Sequence, residues 1–131
     1  MASTPRRFSV SEVNALVPSL EASLRRMDEL RQEIAARANE LERQGFGPLT
    51  HTGPLPPEIV ERKKRVEAAV KELEAEVDRL SATGGILADV DRGLVEFLST
   101  KDGRDILLSW QLGEPVVTYY HPLDQPGRRP L

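Results

Sequence analysis

The sequence predicts an α+β protein: a long antiparallel helical hairpin, coiled-coil-like, followed by a three-stranded antiparallel β-meander. Three observations predict it. Apolar residues recur every seven positions in two separate stretches, the period at which paired helices keep one seam facing a partner. A loop rich in Gly and Pro separates the two stretches. After Gly85 the pattern changes to short apolar runs punctuated by Asp102-Gly103 and Gly113-Glu114, which are turn signals.

The first helix is expected over residues 9–44. Ser9 and Glu12 form a capping box, and Phe8 and Val13 are placed to close a hydrophobic staple around it. Val13, Leu20, Met27, Ile34 and Leu41 then repeat every seven residues. Val17, Leu24 and Ala38 fill the alternate seam position, with Arg31 as the interruption and Leu30 beside it. Met27 on this stripe reads as core filler. Pro18 removes a backbone donor and crowds the carbonyl of Asn14, so a kink or short break is expected near Val17. Met1 to Arg7 reads as a polar, solvated lead-in without an export signal, and the expected setting is cytoplasmic.

Residues 45–56 cannot continue a helix, since Gly45, Gly47, Pro48, Gly53, Pro54 and Pro56 fall there. His51, alone in this loop, has no second ligand at metal spacing. The second helix is expected over residues 57–83. Pro57 suits the first helical position, and Glu58 and Glu61 bring negative charge to the positive helix end. Ile59, Val66, Leu73 and Leu80 repeat every seven residues, with Lys63, Val70 and Val77 between them. Gly84 and Gly85 supply a left-handed cap. The run Arg62-Lys63-Lys64-Arg65 points around most of the helix and reads as a solvated face, with Glu58, Glu61 and Glu67 in salt-bridge reach.

The meander is expected over residues 94–121, with strands at Leu94–Leu98, Ile106–Leu112 and Val116–His121. Parity places Phe97 opposite Leu108 and Val95 opposite Trp110 if Asp102-Gly103 closes the first turn. If Gly113-Glu114 closes the second, Trp110 lies opposite Val117 and Leu108 opposite Tyr119. Val95, Phe97, Ile106, Leu108, Trp110, Val117 and Tyr119 then share one apolar face against the helices. The other face, with Glu96, Ser109, Gln111, Thr118 and Tyr120 among Leu94, Leu98, Leu107 and Val116, is mixed and suits a partner surface or a shallow pocket. Residues 122–131 read as a draped tail.

Composition bounds the function. The 131 residues are 39% hydrophobic, 30% charged and 5% aromatic, which suits one domain with long solvated helices. No apolar run approaches the length that crosses a bilayer. With no cysteine, a disulfide framework, a thiolate metal site and a cysteine nucleophile are excluded. The net charge of −3 argues against a dedicated nucleic-acid partner.

Two stretches resemble a known bacterial family. One is Phe8-Ser9-Val10-Ser11-Glu12-Val13-Asn14-Ala15-Leu16-Val17-Pro18. The other begins at Gly93-Leu94-Val95-Glu96-Phe97 and continues through Gly103-Arg104 and Ser109-Trp110-Gln111-Leu112-Gly113-Glu114-Pro115. It closes with Tyr119-Tyr120-His121 and Arg129-Pro130-Leu131. Together they resemble the family catalogued as domain of unknown function 2203, over nearly the whole chain. Glu96, Ser109 and Tyr120 stand where that family more often has Asp, Cys and Trp. The resemblance implies the architecture and no established activity.

No G-x-S-x-G elbow and no phosphate-binding loop is present. Two functions remain. The first is a non-enzymatic, self-associating interaction protein, a homo-oligomer with a dimer favoured, because the heptad stripes offer more helix length than the sheet can cover. The alternative is a small metal-binding module or metal-assisted enzyme using Asp89, Asp91, Glu96, Glu114 and His121. Asp89-x-Asp91 would offer oxygens to Mg²⁺ or Mn²⁺. Parity sets His121 on the face opposite Glu96, so a joint site would need the last strand to twist or end early, or two chains. The sequence names no cofactor.

Overall fold

The computed structural model describes residues 5–47 and 51–131. Met1 to Thr4 of the expected lead-in, and Pro48 to Thr50 of the expected loop, lie outside the described residues. Two helices, α1 (Val10–Arg43) and α2 (Pro57–Ala82), are followed by β1 (Ile86–Asp89), β2 (Leu94–Lys101), β3 (Arg104–Gln111), β4 (Tyr119–Pro122) and β5 (Arg129–Pro130). The strands form one antiparallel sheet in the order β1-β2-β3-β4-β5. The described residues up to Leu24 join Asp78–Leu131 in one compact unit, and Arg25–Val77 form another.

In the first unit the capping box is formed as expected. The Glu12 amide donates to Ser9 Oγ (3.1 Å) and the Ser9 amide donates to Glu12 Oε1 (3.0 Å). That backbone donation, with Arg6, holds the Glu12 carboxyl below its ordinary value. α1 runs unbroken through Pro18, so the expected short break is absent. A proline costs one backbone bond, and Val13, Val17 and Leu20, all buried on either side of it, hold the helix together. Arg7 is not simply solvated. Its guanidinium donates to both carboxylate oxygens of Asp105 at 2.9 and 3.1 Å.

The core of this unit contains Phe8, Val13, Val17, Leu20, Leu24, Leu80, Val95, Phe97, Ile106, Leu108, Trp110 and Val117, all buried. Phe8 meets Phe97 edge-on with centroids 5.0 Å apart. The Phe8 amide donates to the Leu98 carbonyl, so the residue before α1 is tied to β2. Gly84 ends α2 at φ +97°, and a Cβ there would lie 2.5 Å from Phe8 Cζ. Both backbone conformation and close approach therefore require glycine.

The sheet has five strands rather than the expected three. β1 follows the Gly84-Gly85 cap at once and pairs Ile86 with Glu96 and Leu87 with Val95, with an irregularity before Asp89. Four residues carry too little alternation to show as a strand in the sequence. β5 forms where the tail returns to β4, so the draped tail is in part a strand.

The β2–β3 turn is as expected. Asp102 (φ 53°) and Gly103 (φ 75°) form its centre, Phe97 lies opposite Leu108, and Val95 lies opposite Trp110. The next connection differs. Tyr119 pairs with Ser109, Tyr120 with Leu108 and His121 with Leu107, one residue out of the expected register. The local turn, closed by the Glu114 amide on the Gln111 carbonyl, centres on Leu112-Gly113 and does not lead into a strand. Val117, expected in β4, belongs to the connection, where its amide donates to Asn14 Oδ1 (2.7 Å). An odd offset exchanges the faces, so Tyr119 and His121 leave the core side.

In the second unit Met27, Leu30, Leu41, Ile59 and Ala69 are buried. Leu30, not Arg31, takes the interrupted seam position. Ile34, Val66, Val70, Leu73 and Val77 are only half-buried, and Ala38 is exposed. Arg26 donates twice to Glu72 Oε1 (2.7 and 3.1 Å), and Arg62 donates to Gln44 Oε1 (2.7 Å).

Candidate functional site

The register of β4 assembles a polar cluster on the sheet face turned away from Phe97 and Trp110. β2 contributes Leu94, Glu96 and Leu98 to this face, and β3 contributes Leu107, Ser109 and Gln111. Tyr119 and His121 of β4 join them. Ile86 of β1, opposite Glu96, belongs to the same face and is 54% exposed.

Glu96 and His121 meet across the central strand. Their strands stand two spacings apart, about 9.5 Å, and the side chains close that distance above β3, where Glu96 is level with Ser109 and His121 with Leu107. His121 Nε2 contacts Glu96 Oε2, and His121 Nδ1 contacts the Pro122 carbonyl at 2.8 Å. Both side chains are largely covered, 17% and 12% exposed. Each ring nitrogen therefore faces an oxygen acceptor, which the doubly protonated imidazolium satisfies and either neutral tautomer does not. Burial by itself lowers the His121 pKa. The Pro122 carbonyl, the Glu96 carboxylate and the Gln125 carbonyl together outweigh it and hold the group above its ordinary 6.5.

This sets a sign for pH dependence. The folded chain binds the His121 proton more tightly than the unfolded chain. The resulting stabilisation is present in full below pH 6.5 and is lost as pH rises through the raised value. The His121 ring resonances should titrate with a midpoint above 6.5, and His121→Gln should flatten the part of the stability profile that lies above pH 6.5. A midpoint below 6.5 would contradict the pairing.

Beside this couple lies a second group centred on Arg128. Its Nε donates to Ser109 Oγ (2.9 Å) and its Nη2 to the Ser109 carbonyl (3.0 Å) and Glu114 Oε1 (2.5 Å). Nη1 reaches Gln111 Oε1 at 3.3 Å. Glu114 Oε1 also accepts from the Gln111 amide (2.6 Å). The guanidinium lies 4.3 Å from the centre of the Tyr119 ring. Ser109 is fully buried beneath this network. Among the described residues no buried side-chain nitrogen or oxygen lacks a partner. The arrangement can hold a proton on His121 and fasten the C-terminal segment to the sheet. Ser109 presents no accessible hydroxyl.

Of the five residues expected to serve a metal, only Glu96 and His121 come together. Asp89 Oδ1 accepts from the Arg92 amide in the β1–β2 turn, Asp91 is exposed in that turn, and Glu114 is held by Arg128. Among the described residues no three His, Asp or Glu side chains gather to hold an ion. His121 also offers no free nitrogen lone pair while Glu96 and Pro122 face it. The expected opposition of Glu96 and His121 is corrected by the β4 register, without strand twist or a second chain. Sequence reasoning missed Arg128, Ser109, Gln111 and Tyr119 as one cluster. The signal within reach was the closing stretch that ends in Arg129-Pro130-Leu131, whose neighbour Arg128 shares the outer face with His121.

The fold and this cluster define a class: two long helices leading into an antiparallel meander whose outer face carries an internally satisfied polar network. Residues 6–131 match the family model described as uncharacterized conserved protein (DUF2203), and the chain belongs to that family. No curated protein and no solved structure matches it. Among the described residues no helix is long and apolar enough to cross a membrane.

Proposed function

We propose that this chain is a non-enzymatic interaction protein that pairs with a second copy of itself through its helices, arranged as a coiled-coil-like antiparallel hairpin. One observation carries the reading. Ile34, Val66, Val70, Leu73 and Val77 sit on the seven-residue stripes, yet each is only half-buried in the single chain. A heptad stripe is complementary to another heptad stripe, and a two-fold pairing would cover both copies at once. Polar contacts tie α2 to α1 and to the residue that follows it, Arg26 with Glu72 and Arg62 with Gln44.

The metal-assisted alternative would require Glu96 to exchange His121 for an ion and further ligands to move toward it. No observation favours it over self-association.

Light scattering coupled to size exclusion tests the proposal. The expected result is a dimer that becomes a monomer in Val70→Asp or Leu73→Asp, with the helical circular dichroism largely kept. Each substitution would place an unpaired charge in the desolvated seam. A clean monomer at high protein concentration, or a dimer indifferent to both substitutions, would refute it.

A further inference from the structure

In the second unit the last turns of α1 and the first half of α2 enclose a cleft of about 240 Å³, lined by Arg37, Glu40, Leu41, Gln44, Arg62 and Arg65. We infer that this cleft binds a compact multivalent anion, a diphosphate group, through its three guanidinium groups. The basic run reads in the sequence as a solvated face, and four consecutive residues do spread around the helix. Yet Arg62 and Arg65, three apart, fall on one side and reach the same cleft, while Lys64 turns to Glu61.

The lining carries three cations against one carboxylate, and that carboxylate is occupied. Glu40 accepts from Arg43 through Oε2 and from Gln44 Nε2 through Oε1 (3.0 Å). Gln44 in turn accepts from Arg62 Nη1 (2.7 Å), which fixes that guanidinium at the rim. Arg37 is oriented by Glu33 on its own helix, Nε to Oε1 at 3.1 Å. Two of the cations are thus pre-positioned by neighbours. Arg65, by contrast, has no hydrogen-bond or ion-pair partner among the described residues. Like charges three apart on a helix repel, so an anion between Arg62 and Arg65 removes an unfavourable term as well as adding favourable ones.

The chemistry selects the ligand class. Arginine forks match phosphate oxygens in pairs, and several forks around one point suit a group with many oxygens and more than one charge. The volume lies below the range of pockets that enclose drug-sized molecules, so the bound part is small. Free diphosphate and the diphosphate of a nucleotide share this chemistry.

The test titrates the full chain with sodium pyrophosphate and with ADP, by calorimetry and by NMR of the arginine Nε–H signals. Pyrophosphate should shift the Arg65 signal. Arg65→Glu, an exposed position whose melting temperature serves as the folding control, should weaken binding about tenfold or more. Arg65→Lys should retain part of it. Arg104→Glu, at the β2–β3 turn of the first unit, should bind as the parent does. ADP binding well above pyrophosphate would assign the diphosphate to a nucleotide, and equal affinities would assign it to the diphosphate group alone. Absence of binding by both probes, equal binding in Arg65→Glu, or binding of heparin without pyrophosphate would overturn the inference.

Discussion

Trp110→Ala is expected to lower the folding stability by about 3–5 kcal/mol, the usual cost of truncating a large buried aromatic side chain. Trp110 is fully buried in β3, directly opposite Val95, and is the only tryptophan of the chain. Its removal opens a void between the sheet and the residues that cover it, and close-packed neighbours collapse into such a void only in part. A second effect adds to the cavity. Trp110 Nε1 donates to the Glu114 carbonyl at 2.9 Å, a bond that shapes the connection leaving β3. Trp110→Phe separates the two contributions. It keeps most of the apolar volume and gives up the hydrogen bond, so it should cost about 1–2 kcal/mol. Urea denaturation followed by far-ultraviolet circular dichroism measures both variants, since tryptophan fluorescence vanishes with the substitution. A loss below about 1 kcal/mol in Trp110→Ala would show that the core does not depend on this side chain.

The parts of the fold legible in the sequence are those fixed by neighbours in the chain. Ser9 and Glu12 satisfy each other's backbone within one turn, so the start of α1 is written in four residues. Asp102-Gly103 adopts the two left-handed conformations that a tight β-turn needs, so β2 and β3 follow in the correct register. Gly84 marks the end of α2 for the same kind of local reason. What escaped depends on contacts between distant segments. The register of β4 is decided by Val117 donating to Asn14, 103 positions away, and parity counted from a local turn cannot see such a bond. β1 and β5 are short strands that exist because β2 and β4 offer them unpaired edges, not because of their own patterning.

The same division governs the candidate site. Residue type alone singles out Glu96 and His121, but the one-residue shift in β4 decides that they share a face. Ser109 appears in the sequence as an outward residue of a mixed face, and it becomes fully buried only because the tail returns over it. A polar cluster made by a returning tail carries no spacing rule, since its members sit in three strands and two connecting segments. The half-buried seam of the second unit is different. Its stripe is plain in the sequence, and the structure adds that a single chain leaves it half covered.

Arg128→Ala is the substitution with the largest expected effect on the outer face. One guanidinium holds Ser109 through both hydroxyl and carbonyl, together with Gln111 and Glu114, while lying over Tyr119. Arg128 and Glu114 are only 25% and 20% exposed, so the carboxylate left behind keeps most of its desolvation penalty without its partner. The expected loss is about 2–4 kcal/mol, more than an exposed ion pair contributes. The loss should be uneven along the chain. β5 meets only β4, at Tyr119–Pro130 and Tyr120–Arg129, and the Leu131 amide bonds to the Thr118 carbonyl beyond it. With the clasp gone, so short a strand has little else to hold it, and hydrogen exchange at Leu131 should accelerate well before exchange at the β2–β3 ladder. Arg128→Lys keeps the charge facing Glu114 but lacks the planar fork, so it should recover only part of the loss. Full recovery by lysine would mean that charge alone fastens the segment. Unchanged exchange at Leu131 in Arg128→Ala would mean that β5 stands by its backbone pairing, and the network above Ser109 would then need another role.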